Sequence, residues 1–179
     1  MTSAVGGYAF GDSAPAARRL GLLADVFEPP SRAFLAEFAR VAGDPVDLAV
    51  DLGCGPGHST QLVASVVGAR RTLGLDQSGS FVALAEAGAP PGVEFAVHDV
   101  TVVPFPSPPA GLVYGRFLLS HLPDPPATLA AWATQLAPGR AAAGRRGRPD
   151  PHHPAGAARL PGHGGRPARR PRPQPGDRR

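Results

Sequence analysis

The stretch Asp51-Leu52-Gly53-Cys54-Gly55-Pro56-Gly57 decides how the rest of the chain is read. Just before it, Val46 to Leu52 is a short, mostly apolar run that suits a strand buried on both faces. Just after it, Ser59 to Val67 places Leu62, Val63 and Val66 at helical spacing. Three glycines therefore lie between the end of a strand and the start of a helix. Lacking Cβ, they permit unusual torsions and let the main chain approach a ligand closely. The helix beyond supplies free N–H groups and the positive end of a dipole. Ligands of open α/β sheets sit at the carboxyl ends of the strands, so this turn is predicted to be a ligand site.

Working outward, Ser13 to Phe27 carries Leu20, Leu23 and Phe27 on a helical face, and Pro29-Pro30 is expected to end it. Ser31 is then placed to cap a second helix with Phe34, Leu35, Phe38 and Val41 on one side. On the other side of the glycines, Arg71 to Asp76 reads as a strand ending in a carboxylate. Phe81 to Ala87 reads as a helix, Val93 to Val97 as a strand, and Gly111 to Tyr114 with its flanks as another strand. Asp124-Pro125 opens a helix whose Leu129, Trp132 and Leu136 share a face. Strands alternating with helices predict an α/β fold: a Rossmann-like, doubly wound parallel sheet in three α-β-α layers.

The charge balance divides the chain. The 179 residues sum to +4 and contain no lysine. Residues 1–139 hold 7 Arg against 12 Asp and Glu, whereas 140–179 hold 11 Arg against 2 Asp. In that basic tail Leu160 is the only large aliphatic side chain and there is no aromatic. Such a composition buries too little apolar surface to offset its ordering entropy, so the tail is expected to be disordered. One cysteine, Cys54, excludes a disulfide scaffold and a multi-cysteine zinc site. His152-His153 lies in the low-complexity tail and supports no metal site. No apolar run approaches the ~18 residues of a transmembrane helix, and no secretory signal is evident. A cytoplasmic protein is expected.

A nicotinamide-dinucleotide turn wants G-x-G-x-x-G. Here Gly53 and Gly55 fit, but His58 holds the third glycine position and a glycine falls at 57 instead. The spacing, preceded by Asp-Leu, resembles the first motif of the class I S-adenosylmethionine-dependent methyltransferases. Gly74-Leu75-Asp76 resembles that family's second strand, and His98-Asp99-Val100 its third strand end. Leu112 to Leu122, followed by Pro123-Asp124, resembles its fourth strand and exit, and Leu136-Ala137-Pro138-Gly139 the turn before the fifth. The resemblance covers roughly residues 45–139. It implies S-adenosyl-L-methionine as cofactor and a small-molecule methyl acceptor. Asp51 would meet the cofactor's ammonium group and Asp76 its ribose hydroxyls. Asp99 and the next backbone N–H, that of Val100, would meet the adenine. With Gly53, Cys54, Gly55, Gly57, Gln77 and Arg116 these residues make up the expected cofactor-binding set. Methyl transfer is an in-line displacement that needs positioning more than a dedicated acid or base, and no catalytic residue is singled out.

Plainer roles stand beside these. Cys54 reads as a small loop residue, His58 as a polar residue of a first helical turn, and His121 as an ordering group at the strand-four exit. Asp99 also suits an ordinary strand-end cap. Tyr8, Phe10 and Arg19 suit either a cofactor lid or a structural place. The chain divides into an arm with two helices (1–44), a cofactor-binding core (45–139) and the tail (140–179). Arg140-Ala141-Ala142-Ala143-Gly144-Arg145-Arg146 stands where an apolar fifth strand is expected. A one-nucleotide shift of an Arg- and Ala-coding text permits such a strand. The tail is therefore read as out-of-frame translation, leaving the sheet incomplete and most of the acceptor half lost; whether the chain is then active or inactive is not written in these residues. Two other functions fit parts of the sequence: nucleic-acid binding through the Arg-rich tail, set below translation accident in GC-rich DNA, and an NAD-dependent oxidoreductase. Neither the acceptor nor the oligomeric state is written in these residues.

Overall fold

A computed structural model describes residues 13–145. Five strands form one parallel sheet: β1 (Leu48–Leu52), β2 (Arg71–Asp76), β3 (Val93–Val97), β4 (Ala110–Arg116) and β5 (Leu136–Arg145). Their order is β3-β2-β1-β4-β5. Chain order reverses at β1, between β2 and β4, and this reversal opens the crevice in which such sheets bind ligands.

Every residue of β1 is buried, as its apolar run predicts. Alternation then assigns the two faces. Leu48, Val50 and Leu52 pack with Leu73, Leu75, Val113, Phe105 and Trp132, the last from α4 (Pro125–Ala133). Ala49 packs on the opposite face with Leu35 of α1 (Ala14–Ala42) and with Leu62 and Val63 of α2 (His58–Val67). The same face carries Val82 and Ala85 of α3 (Gly79–Ala87), packed with Cys54, Val93 and Phe95. The predicted three layers are present, with α1, α2 and α3 on one side and α4 on the other. Trp132 also donates its Nε1–H to the Val100 carbonyl at 2.7 Å, tying α4 to the segment leaving β3.

Three expectations change. Pro29-Pro30 does not end the first helix; α1 runs through both prolines. Each proline forfeits one backbone bond, and packing of Phe34, Leu35 and Phe38 against α2 holds the second half in line. Ser31 consequently caps nothing: it is fully buried and accepts a hydrogen bond from Arg116. Second, Leu136 begins β5 instead of closing the α4 face, because α4 stops at Ala133. Third, a fifth strand forms across residues 139 and 140 through Arg145, in the frame as written. It pairs with β4 from Leu112↔Ala141 to Arg116↔Arg145. A strand ladder is made by main-chain groups, so a run without large apolar side chains still pairs. Tyr8 and Phe10, and the tail beyond Arg145, lie outside the described residues.

Candidate cofactor site

The glycine turn is shaped by sterics as much as by torsion. Gly53, Gly55 and Gly57 all have positive φ, at 66°, 52° and 90°. At Gly57 a Cβ would come within 2.9 Å of both the Ala85 Cβ and the Phe95 ring. This glycine is therefore the one that lets the turn lie against α3 and β3. Gly53 faces Leu118 from beyond β4, where a Cβ would sit 3.0 Å from its Cδ1. Gly55 faces Leu20 of α1 at 3.5 Å.

The turn is fixed to β2 by Asp76. Its Oδ2 accepts the Gly55 N–H at 2.8 Å and its Oδ1 accepts the Ser78 N–H at 2.9 Å. Asp76 is buried, and this burial raises its pKa above the ordinary carboxylate range against the backbone hydrogen bonds that lower it. Each carboxylate oxygen has further accepting capacity, so the side chain remains able to bind hydroxyl donors. At the end of β3, Asp99 Oδ1 accepts from both the backbone N–H and the hydroxyl of Thr101, at 2.9 and 2.7 Å. That pair of hydrogen bonds to Thr101 is the strand-end cap, and it also fixes the direction of the carboxylate.

These groups open on a cavity of about 570 Å³, well within the size range of small-molecule sites. Its walls include Gly53, Cys54, Gly55, Asp76, Gln77, Asp99, Val100 and Arg116, so eight of the ten expected cofactor-binding residues meet there. Asp51 and Gly57 do not line it. Asp51 is fully buried behind the turn, pointing toward α2, where its Oδ2 accepts from the Ser59 and Thr60 hydroxyls at 2.7 Å each. Its Oδ1 has no hydrogen-bond partner among the described residues. Burial pushes the Asp51 pKa up to about 6, opposed by those two hydroxyls and the positive charge of Arg116 and reinforced by the charge of Asp76. Through Oδ2 the carboxylate braces the first turn of α2, while Oδ1 is left over from that network.

Cys54 is buried in the α3 cluster, and burial, followed by the charges of Asp51 and Asp76, raises its thiol pKa. It is a packed loop residue with no thiolate chemistry at neutral pH. Arg19 and His58 line the cavity, as does His121 in the short 3₁₀ turn Leu119–His121.

Sequence reasoning missed most of the remaining wall, including Leu20, Leu23 and Ala24 from α1, and Phe117, Leu118, Leu122 and Pro123 after β4. Phe117 has φ 59°, a left-handed conformation that is strained for an aromatic residue. Its ring meets Phe27 edge-on at 4.8 Å and lies 5.3 Å below the Arg116 guanidinium. An apolar residue at a reversed torsion leaves no mark in the sequence. Among the described residues no cluster of three or more His, Cys, Asp or Glu side chains is arranged to hold a metal, and no helix is long and apolar enough to cross a membrane.

Comparison with known proteins agrees with this architecture. A family profile described as "Methyltransferase domain" matches residues 49–139. The chain belongs to this family, that of the class I S-adenosylmethionine-dependent methyltransferases. It is 41% identical over 90 residues to the trans-aconitate 2-methyltransferase of Methylobacterium nodulans, covering 50% of this chain and 34% of that one. The corresponding Streptomyces avermitilis protein is 36% identical over 115 residues, covering 62% and 42%. The chain thus spans less than half the length of these curated relatives. A solved S-adenosylmethionine-dependent methyltransferase from Mesorhizobium loti superposes with a TM-score of 0.50 at 26% identity, covering 59% of this chain and 50% of its own. The plantazolicin methyltransferase BpumL, solved with SAH, has the same fold at a TM-score of 0.59 and 17% identity, covering 74% and 53%.

Proposed function

We propose that this chain binds S-adenosyl-L-methionine in the cavity between the glycine turn and α1, and serves transfer of its methyl group to a small-molecule acceptor. The observation that carries the reading is the convergence of Gly53, Gly55, Asp76 and Asp99 on one cavity at the carboxyl edge of the sheet. The donor set suits the cofactor's chemistry. Two carboxylates at successive strand ends accept hydroxyl and amino hydrogens. The turn has no side chain at two positions facing the cavity, and an apolar wall from α1 and the β4 exit excludes water. The cofactor supplies a methyl group made electrophilic by a sulfonium. The chain's own residues bind, orient and shield.

In this reading Asp76 holds the ribose hydroxyls while keeping Gly55 in place. Asp99, fixed by Thr101, and the Val100 main chain border the adenine. The relatives named for trans-aconitate support an acceptor of small-molecule size. Calorimetric titration of the full chain with S-adenosylhomocysteine, beside NAD, tests the reading. Saturable binding of S-adenosylhomocysteine without NAD binding is expected; NAD binding alone, or neither, overturns it.

A further inference from the structure

The inner face of α1 is accounted for: Leu35 and Phe38 pack against α2, and Leu20 and Ala24 line the cavity. A surface helix ordinarily turns charged and polar side chains to the opposite face. On α1 that outward face instead reads Leu22, Val26, Pro29 and Ala33, spaced by four, three and four residues. At about 100° per residue these four fall along one line of the helix. All are exposed, Leu22 at 68% and Val26 at 69%. Three turns of α1 thus present apolar side chains at the point farthest from the core. Contiguous exposed apolar surface of this kind marks an interaction site.

The charges along its borders say what covers it. Asp25 and Arg32 lie on one flank, about two turns apart. Arg32 pairs with Glu28 through Nη2, and Asp25 takes part in none of the ion pairs among the described residues. Consider two copies of α1 set antiparallel about a two-fold axis between residues 27 and 28. Leu22 of one copy then opposes Ala33 of the other, and Val26 opposes Pro29. An axis perpendicular to the helices and lying between them keeps each flank on its own side. Asp25 of one copy therefore comes up beside Arg32 of the other, twice per dimer. On the opposite flank the same operation brings Arg19 beside Glu37. The face is complementary to itself in apolar surface and in charge, as an isologous contact requires. A membrane surface fits less well, because Asp25 and Glu37 border the same face and would meet anionic headgroups.

We propose that the outward face of α1 is a docking surface for a second copy of this chain, forming an antiparallel α1–α1 pair whose register is set by Asp25 and Arg32. Methyl transfer plays no part in this inference. Burial of Leu22 and Val26 drives the association. The flanking ion pairs are exposed, so they add little affinity and chiefly fix orientation. A single helix pair falls at the small end of specific interfaces, so the dimer is reversible and concentration-dependent.

Sedimentation equilibrium of the full chain, from low micromolar to the highest soluble concentration, tests this. The mass should rise from 18.3 kDa toward twice that value. Val26→Glu places a charge at the centre of the apolar face and should raise the dimer Kd at least tenfold. Because Val26 is exposed, the circular dichroism of this variant should match the wild type. Asp25→Arg and Arg32→Asp should each weaken the dimer as well, since like charges then meet along the flank. Mixed in equal amounts, these two variants should associate with each other, because every Asp25–Arg32 contact is again between opposite charges. Only a face-to-face contact between copies predicts that rescue. A wild type that stays monomeric at every concentration overturns the proposal, and binding to phosphatidylglycerol vesicles that is lost in Val26→Glu would then assign the face to lipid. A dimer that persists unchanged in Val26→Glu overturns it by placing the contact elsewhere. So does a mixture of the two charge variants that stays monomeric where the wild type associates.

Discussion

Asp76, the last residue of β2, accepts the backbone N–H of Gly55 at 2.8 Å across the crevice. One carboxylate therefore both shapes the glycine turn and lines the cavity that the turn borders. The arrangement couples binding to loop geometry, since whatever removes the charge also loosens the turn.

Asp76→Asn should accordingly weaken S-adenosylhomocysteine binding with modest loss of fold stability. The amide retains one oxygen, so one of the two N–H bonds survives. Hydrogen bonds to a charged group are each worth about 1.5–3 kcal/mol, and about 1.4 kcal/mol is tenfold in affinity. A rise in Kd of roughly tenfold to a hundredfold is expected by calorimetry. An unchanged Kd would place the ribose elsewhere.

Asp51 makes a prediction about pH. Its folded pKa of about 6 lies above its ordinary value of 3.8. Between these values the folded state holds more protons than the unfolded state, so stability falls as pH rises through this window. The contribution of the neutral carboxyl is fully present below pH 3.8 and is lost once pH passes about 6. The difference corresponds to roughly 3 kcal/mol at 1.36 kcal/mol per pH unit. Denaturant unfolding at about pH 4.5 and about pH 7.5, on either side of the folded pKa, should show about two-thirds of this loss, roughly 2 kcal/mol, in the wild type relative to Asp51→Asn, in which the group does not titrate. Parallel pH profiles for the two proteins would show that Asp51 stays ionised throughout.

How far the sequence reaches can be judged from particular residues. Asp76 and Asp99 are legible because a carboxylate at the end of an apolar run is a local pattern. The apolar run of β1 is equally readable, and strand alternation puts Leu48, Val50 and Leu52 on one side and Ala49 on the other. Arg116 is legible as a site residue, but its half-buried state without a carboxylate partner is not, because that depends on Ser31 in a helix 85 positions away. The fate of Pro29-Pro30 is hidden for the same reason: local chemistry argues for a stop, and packing of Leu35 and Phe38 outweighs it. The place of Asp51 in the motif suggests a ligand contact, and its hydrogen bonds to the Ser59 and Thr60 hydroxyls, which depend on how α2 packs behind the turn, are not legible in the motif.

Trp132 offers a test of how the second helical layer supports the site. Its Nε1–H bond to the Val100 carbonyl is buried, and Val100 lines the cavity. Trp132→Phe removes the donor, fills most of the volume and leaves a buried carbonyl unsatisfied. A loss of about 1–3 kcal/mol is expected from that unpaired group, read as a lower denaturant midpoint at unchanged slope. If stability is unchanged, α4 packs without directing the Asp99–Val100 corner.

Gly57 provides the sharpest distinction between a glycine kept for packing and one kept for a ligand. It is buried, lies off the cavity wall and has φ 90°, and an added Cβ would overlap Ala85 and the Phe95 ring at 2.9 Å. Gly57→Ala therefore meets both a torsional cost of about 1–3 kcal/mol and an overpacking cost of about 1–3 kcal/mol, and neither neighbour is a flexible chain end that can swing away. A loss of roughly 3 kcal/mol in unfolding free energy is expected from the two together. Because the methyl group would point into α3 and β3 and away from the cavity, S-adenosylhomocysteine affinity should fall far less at temperatures where the variant remains folded. Paring Phe95 back to Leu in the same chain should recover part of the lost stability by relieving one of the two contacts. A Gly57→Ala variant that keeps its stability and loses its affinity would reverse the assignment and bring this residue back onto the binding surface.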